Sequence, residues 1–250
     1  MFKNNFFKKN RIDFIVAGVQ KSGTTALDSY LRQHSEIGMG KIKEIHFFDN
    51  ERYFRTRKID YREYHKHFNF SEKKKVFGES TPIYIWWKDS IKRIFEYNNK
   101  IKLIVILRNP IDRAFSHWNM EISRNNEVRN FYTCISENKL NQPQNKISSY
   151  IERGFYIEQI ENLFKYFDRN QLLFIKYEDF LSEQETYLRK IFSFLNVSND
   201  NYNFNFKKSH NIKYSSEIDA KSKSYLLNKY MNDINKVELL LGWDCNDWKV

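Results

Sequence analysis

The stretch Phe14–His34, FIVAGVQKSGTTALDSYLRQH, decides how the rest of the chain is read. Residues 12–17 form an apolar run that reads as a short buried strand despite Asp13. Gly18 follows, then Lys21, Ser22, Gly23, Thr24 and Thr25. Over residues 24–33 the spacing predicts a helix, with Ala26, Leu27, Tyr30 and Leu31 on one stripe. A strand, a turn of small residues and a helix start together cradle an anion, because the first amides of a helix have no intrahelical acceptor. Thr24 and Thr25 add hydroxyl donors. A nucleoside-triphosphate loop has the form GxxxxGK[ST], with lysine directly after the second glycine. Here Gly18 and Gly23 keep the glycine spacing, Thr24 stands where the lysine would, and the lysine has moved forward to Lys21. The usual lysine reaches the β- and γ-phosphates, and the Ser/Thr binds magnesium. This loop suits a shorter anion with no metal of its own, with Lys21 beside the bridging atom of a transferred group. A tight turn with a surface lysine, or a nucleotide-kinase variant, remain open from this element alone.

Working outward, residues 101–110, IKLIVILRNP, give the clearest central strand, a β-branched run that stops at a polar tip. Pro110 opens a helix over residues 111–122. Residues 75–82 read as a brief strand ending in a turn at Pro82, and residues 171–177 as a further strand. Helices are expected over 59–68, 85–97, 154–167, 183–195 and 217–240. Residues 35–43 read as a loop, 123–149 are polar without a clear period, and 198–216 form a long polar loop. Strands alternating with helices imply an α/β fold, P-loop-like and three-layered, with a central mostly parallel sheet flanked by helices. No repeat or linker splits the chain, so residues 1–250 read as one domain with a peripheral segment over 1–11. Ligands of such sheets gather at the carboxyl ends of strands, where Lys21, Arg108 and Lys176 stand.

The 250 residues suffice for a real core, and 22 Phe and 16 Tyr argue against disorder. A formal net charge of +11 implies attraction to anions without choosing among nucleotides, nucleic acid, acidic glycans or a lipid surface. The charge is spread along the chain rather than gathered in one stripe, which disfavours nucleic acid as the partner. Cys134 and Cys245 make no metal or disulfide framework, so a reducing, cytoplasmic setting is the simple reading. No segment approaches transmembrane length, which leaves peripheral contact with a membrane open. The spacing of acidic residues, His and Cys offers no metal cluster.

Several segments resemble the sulfotransferases that use 3'-phosphoadenosine 5'-phosphosulfate (PAPS), in family order. VAGVQKSGTTALDSYLRQH resembles their 5'-phosphosulfate loop, and LIVILRNPIDRAFSHW their 3'-phosphate motif. KEIHFF, GESTPIY, ERGFYIEQIENLFKYF, LLFIKYEDF and VELLLGWDCNDW continue the likeness from about residue 12 to the C-terminus. The resemblance is nearest to bacterial relatives of the heparan sulfate N- and 3-O-sulfotransferases. It implies that Lys21, Ser22, Gly23, Thr24 and Thr25 hold the 5'-phosphosulfate, and that Arg108 and Ser116 bind the 3'-phosphate. Glu44 matches the acid/base position, with His46 in the same motif. Lys207 and Lys208 fall where a late basic loop closes over the nucleotide. Glycan-acting relatives often carry lysine after the glutamate of the segment matching GES, where this chain has Ser80.

Sulfonate transfer needs an acceptor oxygen or nitrogen in line with the departing phosphate, and charge stabilisation on the bridging oxygen. Lys21 suits the second need. Glu44 or His46 suits removal of the acceptor proton. Strand-like alternation would put Glu44 and His46 on one face; a surface Glu and a structural His is the other reading. Arg108 is either a phosphate ligand or an i,i+4 partner of Asp112. Arg113 and His117 face either the same cleft or solvent. One of Trp86 and Trp87 is expected in the core, and the other is open to sugar stacking. The expected acceptor is a carbohydrate or glycolipid. A small-molecule acceptor, a nucleotide kinase and a non-enzymatic polyanion binder are the rivals.

Overall fold

The computed structural model describes residues 11–56, 58–137, 145–200, 202 and 217–250. Five strands form its frame: β1 (Phe14–Gly18), β2 (Ile37–Met39), β3 (Val76–Ser80), β4 (Lys102–Leu107) and β5 (Leu172–Lys176). Their order is β2-β3-β1-β4-β5, and every adjacent pair is parallel. Parallel neighbours need crossovers. These are supplied by α1 (Thr24–Arg32), α2 (Arg62–His65), α3 (Ser90–Tyr97), α4 (Pro110–Ser123), α5 (Phe131–Ser136) and α6 (Tyr156–Phe164). After β5 come α7 (Tyr177–Ser182), α8 (Gln184–Leu195) and α9 (Ala220–Leu241).

Alternation along the strands divides the core into two layers. Ile15, Ala17, Leu103, Val105 and Leu107 pack with Ile94 of α3, Ala114 of α4, Ile160 of α6 and Ile234 of α9. Phe14, Val16, Ile104, Ile106 and Ile175 turn the other way, onto Leu27 and Leu31 of α1 and Leu188, Ile191 and Phe192 of α8. The expected three-layer α/β fold with helices on both faces is the fold observed.

Departures from the expected elements have local causes. Residues 35–43 contain β2, a three-residue strand paired to β3, too short to show a period. The helix expected from residue 85 begins at Ser90, because Ile85 donates its amide to Ala17 O (3.0 Å) and Asp89 adopts φ 67°. The helix expected over 59–68 is the single turn α2, and the polar stretch 123–149 contains α5. Most of the loop at 198–216 lies outside the described residues, together with Lys207, Lys208 and residues 1–10.

Candidate active site

The carboxyl ends of β1, β3, β4 and β5 converge on the glycine loop. Val19 N donates to Ile106 O (2.9 Å) and Thr81 N to Val16 O (3.1 Å), which ties the tips of neighbouring strands together. Gly18 is required by close approach, since a Cβ there would stand 2.5 Å from Ile85 Cγ2. Gly23 precedes α1 at φ +74°, and a Cβ there would meet the Tyr177 ring at 2.9 Å. The first bond of α1 runs from Leu27 N to Gly23 O (3.1 Å), so the amides of Thr24, Thr25 and Ala26 precede the ladder.

Around this turn the side chains are arranged for an anion. Ser22 is fully buried, and its Oγ has no partner among the described residues. Thr24 is buried and Thr25 exposed. Arg108 leaves the tip of β4, donates Nη1 to Lys21 O (3.0 Å) and lies 4.9 Å from the Tyr177 ring centroid. Its Nε is buried without a partner, and among the described residues it makes no ion pair with Asp112. A buried donor without an acceptor is costly, and a phosphate oxygen would satisfy it. Ser116 is buried on α4, one turn below Asp112. Together the unpartnered hydroxyl of Ser22 and the guanidinium of Arg108 are donors that an anion would satisfy. Lys176, the third basic tip, belongs to a different arrangement: its Nζ pairs with Asp247 Oδ1 (2.6 Å) and bonds Asp244 O (2.8 Å).

Lys21 is the junction. It holds φ 75°, an uncommon conformation for a residue with a Cβ. Burial, reinforced by the positive charges of Arg108 and Arg124, lowers its ammonium pKa to about 8, against the pull of Glu121 and Glu44. No carboxylate lies within ion-pair distance of it among the described residues. Gln20 beside it, and Glu44, Glu121 and Arg124 whose charges act on it, wall a pocket of about 190 Å³ together with His46, Lys146 and Arg153, among others.

In that pocket Glu44 and His46 are brought together, but not as a strand. Both adopt positive φ, 61° and 54°, and the residues between β2 and the 3-10 turn at Glu51–Phe54 form a loop. Glu44 N donates to Ser80 O (2.9 Å), which hangs this loop on the end of β3. His46 Nε2 then lies 3.6 Å from Glu44 Oε2, while Nδ1 lies 2.9 Å from Asp49 Oδ2. Asp49 is buried and also pairs with Lys146. Its hydrogen bond, with that of Glu44, raises the His46 pKa to about 9. Burial pushes the Glu44 carboxyl up, but hydrogen bonds and charge from His46 and Lys43 outweigh it and leave it at about 2. Asp49 escaped the sequence reading; its signal was the spacing His46-x-x-Asp49 within HFFD.

A second support was also missed. Glu79 of β3 is buried and accepts from Tyr64 Oη (2.6 Å), Thr81 Oγ1 (2.6 Å) and Tyr84 Oη (3.2 Å). Tyr84 Oη in turn accepts from Phe47 N (3.0 Å). The loop bearing Glu44, His46 and Asp49 is thereby anchored to a buried carboxylate. Ser80 is buried, with its Oγ unpartnered among the described residues, and no lysine occupies that place.

Arg113 and His117 are fully buried rather than solvated. Arg113 Nη2 donates to Tyr150 O, and His117 Nε2 lies 3.8 Å from Glu121 Oε1. Trp86 and Trp87 are both half-buried, so neither is a core residue in full, whereas Trp248 is. Cys134 is buried and burial pushes its thiol up to about 12, the state of an inert cysteine. No cluster of three His, Cys, Asp or Glu could hold a metal among the described residues, and no helix there is long and apolar enough to cross a membrane.

The family model described as Sulfotransferase domain matches residues 11–239. The chain is 25% identical to the membrane-associated sulfotransferase kil1 of Dictyostelium discoideum, over 93% of this chain and 65% of that protein. It is 29% identical to heparan sulfate glucosamine 3-O-sulfotransferase 3B1 of Mus musculus, over 73% of this chain and 45% of that one. The chain thus spans between 45% and 65% of the length of these curated relatives. Among solved structures, a sulfotransferase from Alicyclobacillus acidocaldarius superposes with TM-score 0.82 at 25% identity, covering 96% of this chain and 99% of that one. The mouse sulfotransferase SULT7A1, complexed with PAP, shares the fold with TM-score 0.56 at 17% identity, covering 93% and 89%.

Proposed function

The chain belongs to the sulfotransferase domain family, and from that premise we propose that it moves a sulfonate group from PAPS to a hydroxyl or amine of a carbohydrate acceptor. The observation that carries the reading is Lys21 in a loop with unpartnered buried donors, under the charge of Glu44 and Glu121, which wall the pocket that also holds His46. The carbohydrate part is supported by the relatives named as heparan sulfate sulfotransferases. A glycolipid acceptor belongs to the same class. A cytoplasmic setting is part of the proposal and rests on the two free, buried thiols of Cys134 and Cys245.

In this reading the amides opening α1, with Ser22, Thr24 and Thr25, hold the 5'-phosphosulfate, and Gly23 lets the backbone approach it. Arg108 and Ser116 hold the 3'-phosphate, with Lys207 and Lys208 assigned to the same nucleotide by the family likeness. The donor supplies an activated sulfuryl group. An acceptor lone pair forms the new bond to sulfur, the old S–O bond breaks, and its electron pair stays on the bridging oxygen. Lys21 stabilises that charge. Glu44 is ionised throughout the neutral range and accepts the acceptor's proton. His46, kept protonated by Asp49 and Glu44, donates to Glu44 and holds that carboxylate in place.

The test is calorimetric titration of 3'-phosphoadenosine 5'-phosphate (PAP), AMP and ATP into wild type and Arg108→Ala. PAP is expected to bind more tightly than AMP, with the mutant weaker by about 10- to 100-fold, the worth of a charge-assisted pair. ATP binding as well as PAP, indifferent to Arg108, would overturn the proposal. Glu44→Gln is expected to retain PAP affinity while its turnover falls by about 10²- to 10⁴-fold.

A further inference from the structure

A second cavity, of about 660 Å³, lies outside the site described above. It opens between Trp86 and Trp87, residues 145–149 and one side of α6, and none of Lys21, Glu44, His46 or Arg108 lines it. We infer that this groove is a distal acceptor subsite that takes an uncharged sugar unit of the same oligosaccharide whose other unit is sulfonated. The inference rests on the carbohydrate reading above and adds the length and charge of the acceptor.

Three observations carry it. The first is a shared wall. The Arg153 guanidinium lies 4.6 Å from the Trp86 ring centroid, and the Lys146 ammonium 4.7 Å from that of Trp87. Arg153 and Lys146 line the reactive pocket, whereas the two indoles line the groove. Each ring therefore has a cation on the reactive side and the groove beside it. The rings stand 6.0 Å apart at 68°, forming a corner of two flat apolar surfaces against which the C–H faces of a pyranose can pack.

The second is an acceptor atom awaiting a donor. Gln159 of α6 lines the groove and is only 6% exposed. Its Nε2 donates to Arg153 O (3.2 Å) and to Phe155 O, which fixes the amide, and Oε1 is left without a partner among the described residues. A hydroxyl satisfies that atom; an anion does not. The third is charge. Lys88, Lys92 and Lys165 on the lining are balanced by Asp89, Glu152 and Glu158, in a protein whose net charge is +11. A groove selecting a sulfated or uronate unit would be basic.

The probes are uncharged chito-, cello- and malto-oligosaccharides of one to four units, beside a uronate-bearing heparosan tetrasaccharide. Each is titrated into the PAP-loaded full chain and followed by calorimetry and tryptophan fluorescence. At least one uncharged tetrasaccharide is expected to bind and to perturb the fluorescence, with affinity rising from one unit to four. Its binding is expected to weaken at least ten-fold in Trp87→Ala and in Asn162→Trp, which fills the groove from α6. PAP affinity stays unchanged in both variants and reports that they are folded. The inference fails if no uncharged tetrasaccharide binds while PAP does, if binding ignores both substitutions, or if only heparosan binds through Trp87. Loss of PAP binding by wild type would instead remove the donor reading on which the inference stands.

Discussion

Lys21 carries the clearest test at the level of single residues. Its ammonium titrates near pH 8 in the free protein because burial and Arg108 disfavour the charge. A polyanionic donor would raise that pKa, so at pH 8 binding should take up roughly half a proton, falling toward zero by pH 6. Titration of PAP in buffers of differing ionisation heat measures the uptake, and Lys21→Met should abolish it. Glu79 makes the opposite kind of statement. Burial lifts its carboxyl to about 7, so the folded protein binds a proton more tightly than the unfolded chain. The associated stability is present below pH 4.5 and is lost as pH rises through 7, on the order of 3 kcal/mol. Urea unfolding from pH 4.5 to 8 should show this decline in wild type and a flatter profile in Glu79→Gln. Lys21, Arg108 and Glu44 were legible because each sits in a recognisable run beside a glycine, a strand tip or a histidine. Glu79 was not, because its partners Tyr64 and Tyr84 lie outside its strand and only the folded backbone brings them near; Asp49 had a local signal in its i,i+3 spacing from His46, but its second partner Lys146 is distant.

Elements show where local chemistry suffices and where it does not. α4 could be placed from Pro110 alone, and the structure adds Asn109, whose side chain accepts from Ile111 N at 2.9 Å. Replacing Asn109 by Ala should cost about 0.5–2 kcal/mol in denaturant unfolding. Gly23→Ala should cost about 1–3 kcal/mol, since alanine at φ +74° is strained and its Cβ would strike Tyr177. Weaker PAP binding should accompany it, because the same turn aims the first amides of α1. The loop at residues 44–49 is the instructive failure. Alternation of Glu44, Ile45, His46 and Phe47 reads as a strand, yet hydrogen bonds to Ser80 O and Tyr84 Oη bend it into left-handed conformations. The two side chains meet by curvature, not by pleat. β2 escaped notice for a simpler reason: three residues hold too little pattern to see.

Across the whole molecule, the C-terminal segment closes the sheet's tip. Trp248 is fully buried, donates Nε1 to Glu178 (3.1 Å), and its neighbour Asp247 holds Lys176. Glu178 accepts from Asn109 N (3.0 Å), next to Arg108. Trp248→Ala should therefore lower stability by about 3–5 kcal/mol, and truncation after Leu241 by at least as much. Differential scanning calorimetry measures both, and PAP affinity should fall with the truncation. The order of the strands has a consequence for how the chain comes into being. Among the sheet's five described strands the earliest in the chain, β1, lies in the middle, between β3 and β4. While a ribosome extends the chain, FIVAG has no partner until residues 76–80 and 102–107 have emerged. At about 5–20 residues per second that interval lasts roughly 4–18 seconds. During it this apolar stretch stands unpaired and open to chaperones, and the glycine loop that follows it has not yet taken its shape.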